Sequence, residues 1–399
     1  MKMDIGIVGG SIAGTALADR LLPAGHRVTV LERSSSDLDD RGLGIAMDPA
    51  VARTLGEDFG IPITRRTVLD RNGVVRWQRS LAKRTVRWSA VHHALASRVP
   101  HEVVEHGTTV HRVGSEQDRA WVETNQGIRR DFDLVVGADG IGSQVRNVVD
   151  PGFDPEYLGY VAIRGLVSID RLPVEASPIL DTLVDGSMLN SYLDRSHVVA
   201  YPIESPSGEI LVNWMWYRNT TAEQLDDLLE TGGGETRRWS LPPGGIPQEH
   251  LRTIRREATE SMADSMSSIL LASDSWSLQA IHGGIASGGS SDRLILIGDA
   301  ARIAIPHVGA GTSLAITDAR TLAEAIDGVG DDFEERLARW AVVRRGETEQ
   351  TMAFGRDLGR FLQFSGTDWT TWSSEDFDRW WTELLAGRRL YFESSQGES

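Results

Sequence analysis

Three stretches of this sequence carry residue types whose spacing can do chemistry. The first is Gly9-Gly10-Ser11-Ile12-Ala13-Gly14, which follows an apolar run at 4–8 and opens a helical pattern. Small residues there let the backbone approach a pyrophosphate, whose charge suits a helix N-terminus. Glu32 ends the next apolar run, where a carboxylate can bond a ribose diol. Turn, run and terminal acid together read as a dinucleotide site and do not choose between FAD and NAD. The second stretch runs from Asp133 through Gly137-Ala138-Asp139-Gly140 to Arg146. The third is Leu294-Ile295-Leu296-Ile297-Gly298-Asp299, followed by Pro306-His307-Val308-Gly309-Ala310-Gly311-Thr312.

The elements that must position these residues are legible as periodicities. Residues 4–8 and 27–31 read as short buried strands flanking a helix that Pro23 and Gly25 stop, which makes one βαβ unit. Residues 68–77 read as a hairpin turning at Asp70-Arg71-Asn72-Gly73. A short helix is expected over 89–98, strands near 102–105, 108–113 and 119–124, and a buried strand at 132–136. From Leu158 to about Ile281 alternating strands dominate (161–168, 188–193, 197–203, 209–217), with one long helical pattern at 248–270. A buried strand returns at Arg293, a helix starts near 311, and the chain beyond about 333 is helical and rich in Trp.

This predicts an α/β fold in which a Rossmann-like domain is assembled from separated pieces. The expected boundaries are 1–72, 98–156 and 285–330 for the nucleotide-binding domain. An excursion at 73–97 and a β-sheet-rich substrate domain at 157–284 are inserted, and C-terminal helices fill 331–399.

Composition narrows the function. With 399 residues, two joined domains are expected. A net charge of −16 argues against a nucleic-acid partner, which needs a basic face. The absence of cysteine rules out disulfides, thiolate metal sites and a Cys nucleophile. Lys2 and Lys83 are the only lysines, which reads as a GC-rich, bacterial genome rather than as chemistry. No apolar run approaches the roughly 18 residues of a membrane span. No charged, apolar and cleavable leader precedes the first strand, so a cytoplasmic location is expected.

The three motifs, in this order and spacing, resemble the class A flavoprotein monooxygenases, the para-hydroxybenzoate hydroxylase fold with its GR2-type FAD-binding domain. Smaller matches resemble the 2,6-dihydroxypyridine 3-hydroxylase-like subgroup. They are Gly9-Gly10-Ser11, Glu32-Arg33-Ser34, Gly159-Tyr160-Val161 with Arg164-Gly165, Ala200-Tyr201-Pro202-Ile203, Asn213 through Asn219, and Pro306-His307. The resemblance covers nearly the whole chain except the last 40 or so residues, and the Arg-x-x-Leu helix of many members is poorly matched at Arg87 to His93.

The resemblance implies bound FAD. Gly9, Ser11, Ile12, Ala13, Gly14 and Glu32 would hold its ADP part, Asp139 and Gly140 would serve FAD and the nicotinamide donor, and Asp299 would meet the ribitol. Pro306, Gly309, Gly311 and Thr312 would face the flavin ring, and Arg33, Arg41 and Val110 complete the expected cofactor set. It also implies NADH or NADPH as a transient donor and O2 as co-substrate. An electron-rich aromatic or N-heteroaromatic small molecule would attack a flavin C4a-hydroperoxide.

His307 is the first candidate for exchanging the substrate's proton, because an unperturbed imidazole titrates near about 6.5. Tyr217 and Arg164 join it as catalytic candidates. Tyr201, Asn213, Trp216 and His307 are expected in the substrate pocket, although strand alternation lets no more than about half of such positions face it. An FAD-dependent reductase or dehydrogenase, a flavin halogenase and a non-catalytic flavin-binding protein are alternatives on the same scaffold.

Other signals are set aside. His101-Glu102-Val103-Val104-Glu105-His106 places its second His one residue too late for a zinc helix, so no metal is expected. Trp214-Met215-Trp216 does not complete a halogenase motif. The Trp-rich tail has acidic neighbours, which disfavours a membrane surface and favours packing on the body or on the second subunit of a homodimer.

Overall fold

The apolar runs flanking the Gly-rich turn become neighbouring parallel strands. In the computed structural model Asp4–Val8 pairs in parallel with Arg27–Glu32 on one side and Leu134–Gly137 on the other. Val104–His106 extends this sheet beyond Arg27–Glu32, and Leu294–Leu296 extends it beyond Leu134–Gly137. Ser290–Ser291 adds a short antiparallel edge, for six strands in all. Every residue of Leu134–Gly137 is buried, as expected of a central strand covered on both faces. The structure describes residues 2–35, 43–116, 118–230, 237–287, 290–291, 293–328 and 332–388; Arg41 lies outside them.

The second sheet has ten strands. Glu156–Ser168, Ser187–Leu193, Ser196–Glu204, Ile210–Asn219 and Trp276–Ile285 form its bulk. The expected boundary between residues 72 and 73 falls inside a hairpin of this sheet. Ile61–Leu69 pairs with Val75–Arg87, and Gly44–Met47 pairs with the same long strand in register from Arg87 to Arg84. Strand pairing thus brings 44–47 and 61–69 into this sheet as well. Its turn is set by Asp70, whose carboxylate accepts from the Asn72 and Val74 amides and from Arg76 Nε.

Two further expectations change. The run 132–136 is split at Asp133, whose carboxylate accepts the Asp4 amide at 2.8 Å. Phe132 ends a separate three-stranded sheet, and Leu134 starts the nucleotide sheet. The pattern at 248–270 makes two helices, Gln248–Ser261 and Asp264–Leu271, because Met262 and Ala263 adopt extended backbone between them.

Period-two alternation gives the large sheet two different faces. Trp214 and Trp216 point into an apolar layer built with the helices Ser177–Val184, Gln248–Ser261 and Asp264–Leu271. Met215 and Tyr217 point the other way. The Trp-rich tail packs on the body. Phe377 stacks on Trp77 at 5.8 Å and on Trp369 at 5.7 Å, and Trp77 Nε1 donates to Asp378 at 2.8 Å. Among the described residues no helix is long and apolar enough to cross a membrane.

Candidate active site

One cavity of about 660 Å3 runs from the Gly-rich turn to the inner face of the large sheet. Its first end is shaped by glycine. Gly9 has φ +103°, and a Cβ there would stand 2.4 Å from the Ala138 carbonyl oxygen. Ser11 is the N-cap of the helix Ile12–Leu21, and it makes no side-chain capping bond. Gly9, Ser11, Ile12 and Ala13 line the cavity. Gly14 does not; it lies beneath, where a Cβ would meet the Gly9 carbonyl oxygen at 1.9 Å. Its task is to let helix and turn touch.

Glu32 closes this end. Its two oxygens accept the amides of Gly10 at 2.7 Å and Ser34 at 2.8 Å. Burial alone would raise the carboxyl, but the Ser34 and Gly10 amides, with the Ser34 hydroxyl and Arg33 behind them, hold it below its usual range. It is therefore an ionised acceptor. Arg33, Thr109 and Val110 border the same space. These residues fit a dinucleotide: the glycine turn leaves a cradle that a Cβ would fill, and a charged carboxylate stands beside it.

The other two motifs meet at a single arginine. Arg146 Nη1 donates to the carbonyls of Asp299 at 3.3 Å and Ala300 at 3.2 Å, and Nη2 donates to that of Ile141. Buried at 3% exposure, it ties the Asp-Gly loop to the Gly-Asp turn. The sequence displays Arg146 within the second motif, but only the fold shows this duty. Asp139 and Gly140 line the cavity, and Asp139 accepts the Ser143 hydroxyl and the Gln144 amide at the start of Gln144–Val149.

Asp299 opens into the cavity, yet the protein around it pushes its pKa up to about 6. Burial is the largest cause and Asp318 adds to it, while Arg302 and Arg146 oppose. A carboxyl raised in the folded state costs stability as pH climbs from its ordinary 3.8 through about 6. The Asp299 carboxyl is nevertheless exposed to the water of the cavity, which screens the effect, so Asp299→Asn is expected to melt only slightly above the parent at pH values over about 7 in flavin-free protein, and to match it below the ordinary carboxylate range. Thermal unfolding at both pH values checks this.

Pro306, Gly309, Gly311 and Thr312 line the middle of the cavity. Gly309 takes the left-handed conformation, φ +56°, and the helix Gly311–Asp327 starts two residues later with no acid in its first turn. Its free amides suit a ligand edge that carries negative charge.

The far end is the inner face of the large sheet. Tyr201, Tyr217, Arg164 and His307 line the cavity there. Asn213 and Trp216 do not. Asn213 is fully buried and accepts the Gly44 amide at 2.7 Å, while Arg164 Nη2 donates to the Gly44 carbonyl at 2.8 Å. Both side chains thus grip a backbone that itself lines the cavity. Trp216 is on the opposite face, donating to Ser196 Oγ at 2.8 Å, because its parity is that of the core-facing Trp214.

His307 sits in a nest of rings, with centroids 4.5 Å from Tyr217, 4.9 Å from His197 and 5.5 Å from Tyr160. Both ring nitrogens are enclosed without a hydrogen-bond partner. Burial, with Arg66 adding to it, pushes its pKa down to about 3. In the ligand-free protein this imidazole is therefore neutral near pH 7. Tyr201 is pushed up to about 12 by burial, against the pull of Arg164, and stays a protonated phenol.

Sequence reasoning missed Arg66, Lys83, Met188 and Gln279, which also line the cavity. For Arg66 a signal existed. Adjacent residues on a strand face opposite ways, so one of Arg65 and Arg66 had to point inward.

Comparison with known proteins agrees with this geometry. The family description "FAD binding domain-like" matches residues 157–283, and "FAD binding domain" matches 247–338. The chain is 30% identical over 358 residues to 2,6-dihydroxypyridine 3-monooxygenase of Paenarthrobacter nicotinovorans, spanning 84% of this chain and 85% of that one. It is 27% identical over 377 residues to a 3-amino-4-hydroxybenzoate 2-monooxygenase of Streptomyces platensis, spanning 89% and 87%. The structure of 2,6-dihydroxypyridine-3-hydroxylase from Arthrobacter nicotinovorans superposes with a TM-score of 0.84 at 24% identity, covering 92% of this chain and 94% of that one. A glycine cradle, a two-sheet cavity and these likenesses converge: the chain belongs to the FAD-dependent aromatic-ring monooxygenases and is an enzyme, a single-component flavoprotein hydroxylase.

Proposed function

We propose that this enzyme uses NADH or NADPH and dioxygen to hydroxylate a small electron-rich aromatic or N-heteroaromatic ring. The observation that carries the reading is the continuity of the cavity. One end is the dinucleotide cradle, and the other is a wall of Val199, Tyr201, Met215 and Tyr217 suited to a flat ring. FAD, when bound, supplies the storage of reducing electrons and the activation of oxygen. Gly9 to Ala13 and Glu32 hold its nucleotide part; Asp299 and the Gly309 to Thr312 turn hold the part that carries the ring system.

The rest falls to the protein's own side chains. Arg164 and Asn213 fix Gly44 and so keep one cavity wall in place. Tyr217, flanked by His197 and His307, offers a protonated phenol with an apolar ring face. The imidazole of His307, neutral across the physiological range, packs beside the ring rather than carrying charge.

The test is a panel of hydroxypyridines and phenols added to the purified yellow protein. A ring that perturbs the flavin absorbance spectrum should also accelerate NADH or NADPH oxidation. Rings that shift the spectrum while none changes the rate of nicotinamide oxidation would count against the proposal.

A further inference from the structure

Arg65 and Arg66 are neighbours on the strand Ile61–Leu69 and have opposite fates. Arg65 turns to the surface and pairs with Asp185 at 2.7 Å. Arg66 turns inward and lines the cavity. One side of its guanidinium is covered by Trp381, whose ring centroid lies 4.7 Å away. Its Nε is enclosed without a hydrogen-bond partner. Among the described residues no carboxylate or carbonyl accepts from this guanidinium.

That is unlike the arginines buried elsewhere in this fold. Arg302 and Arg344 share Asp318, and Arg146 is spent on backbone carbonyls. Arg66 is half-buried, and a charge partly withdrawn from water with no protein partner is costly, so such a group is retained where something else completes it. The cavity itself does not. Among its described lining residues the acids are Glu32, Asp139 and Asp299, and all three belong to the dinucleotide motifs. Met188 is the neighbour of Arg66 across the paired strand, Leu81 and Val199 line the same cavity, and Lys83, with Asp48 behind it, is close enough for its charge and that of Arg66 to oppose each other. An apolar pocket end that holds cations and no acid is complementary to an anion on the ligand. A planar guanidinium presents a donor fork that matches a carboxylate.

We propose that Arg66 determines substrate specificity by binding a carboxylate carried on the ring of the aromatic substrate. This rests on the cavity being the substrate site of the hydroxylase described above, and it adds the class of ring: an aromatic or heteroaromatic acid.

The test uses oxidised FAD-loaded enzyme without nicotinamide, so that binding is read apart from turnover. Matched rings are titrated by calorimetry and flavin absorbance: 4-hydroxybenzoate against 4-hydroxybenzamide, salicylate against salicylamide, and 6-hydroxynicotinate against its amide. In the parent, at least one acid should bind about ten-fold or more tightly than its amide, the scale of a hydrogen bond between charged groups. In Arg66→Gln that ratio should fall to about one with FAD content unchanged, and Arg66→Lys should recover part of it.

The inference is overturned if no acid binds, if the amides bind as tightly, or if Arg66→Gln keeps the preference. It is also overturned if affinity follows ionisation of the ring hydroxyl instead of the carboxylate. An acid held through Arg66 but never oxygenated would sink the hydroxylase reading and leave this one standing. A neutral ring hydroxylated equally by parent and Arg66→Gln would do the reverse.

Discussion

Gly14→Ala is expected to give a protein that does not retain FAD, with turnover lower by on the order of 100-fold, the scale of a misplacement of about 1 Å at a reacting centre. The added methyl would stand 1.9 Å from the Gly9 carbonyl oxygen. Gly9 has little room to give, because it adopts φ +103° and the Ala138 carbonyl oxygen fills the space that a side chain would take. The remaining relief is to lift the helix Ile12–Leu21 away from the turn. That helix is buried along most of its length against the nucleotide sheet and the helix Gly311–Asp327, so neither side yields freely and the clash distorts the cradle. The ratio of flavin to protein absorbance after purification, together with reconstitution by added FAD, measures the effect. A Gly14→Ala protein carrying a full complement of FAD would refute this account of the cradle.

Asp318→Ala should destabilise the fold by about 3–5 kcal/mol, the cost of stripping a buried charge cluster of one partner. Asp318 is wholly buried. Its Oδ1 accepts from Arg344 Nε at 3.0 Å and Nη2 at 2.9 Å, and its Oδ2 accepts from Arg302 and from the Gly298 amide at 3.0 Å. Alanine leaves two guanidinium groups sealed from water and frees the turn that presents Asp299. Glu347→Gln serves as the control. Glu347 also pairs with Arg344 but is half exposed, so its loss should cost under about 1 kcal/mol. Urea unfolding of the two variants should separate them clearly; equal small losses would show that the cluster does not hold the helix Phe333–Phe364 to the site.

These two residues mark what the sequence discloses and what it conceals. Gly14 is legible because a strand, a tight turn and a helix occupy consecutive positions, and the steric demand on each glycine is local. The same holds for the turns that carry Asp139 and Asp299, both of which line the cavity. Asp318 is not legible. It is one helical acid among many, and its two arginines become partners only after the chain has folded.

The substrate end shows the same limit. Alternation says that half of a strand's side chains face the cavity, not which half. Met215 and Tyr217 face it, whereas Trp216 packs in the core, and the choice is made by the helices that cover the other face. Asn213 shares the parity of Tyr217 but lies at the sheet's contact with Gly44, where its side chain is used on backbone. His307 was legible as a residue beside the cavity but not as a neutral one. Its pKa is lowered by burial and by Arg66, and the rings packed around it, Tyr160, His197 and Tyr217, come from positions far apart in sequence.

The central claim is that this cavity places a ring where oxygen is inserted into it. Turnover of an accelerating ring under isotopically labelled dioxygen, followed by mass spectrometry of the product, tests it most directly. The account predicts a product that gains one labelled oxygen atom for each nicotinamide consumed in coupled turnover. A converted ring without label would contradict it and make the protein a flavin reductase or dehydrogenase built on the same fold.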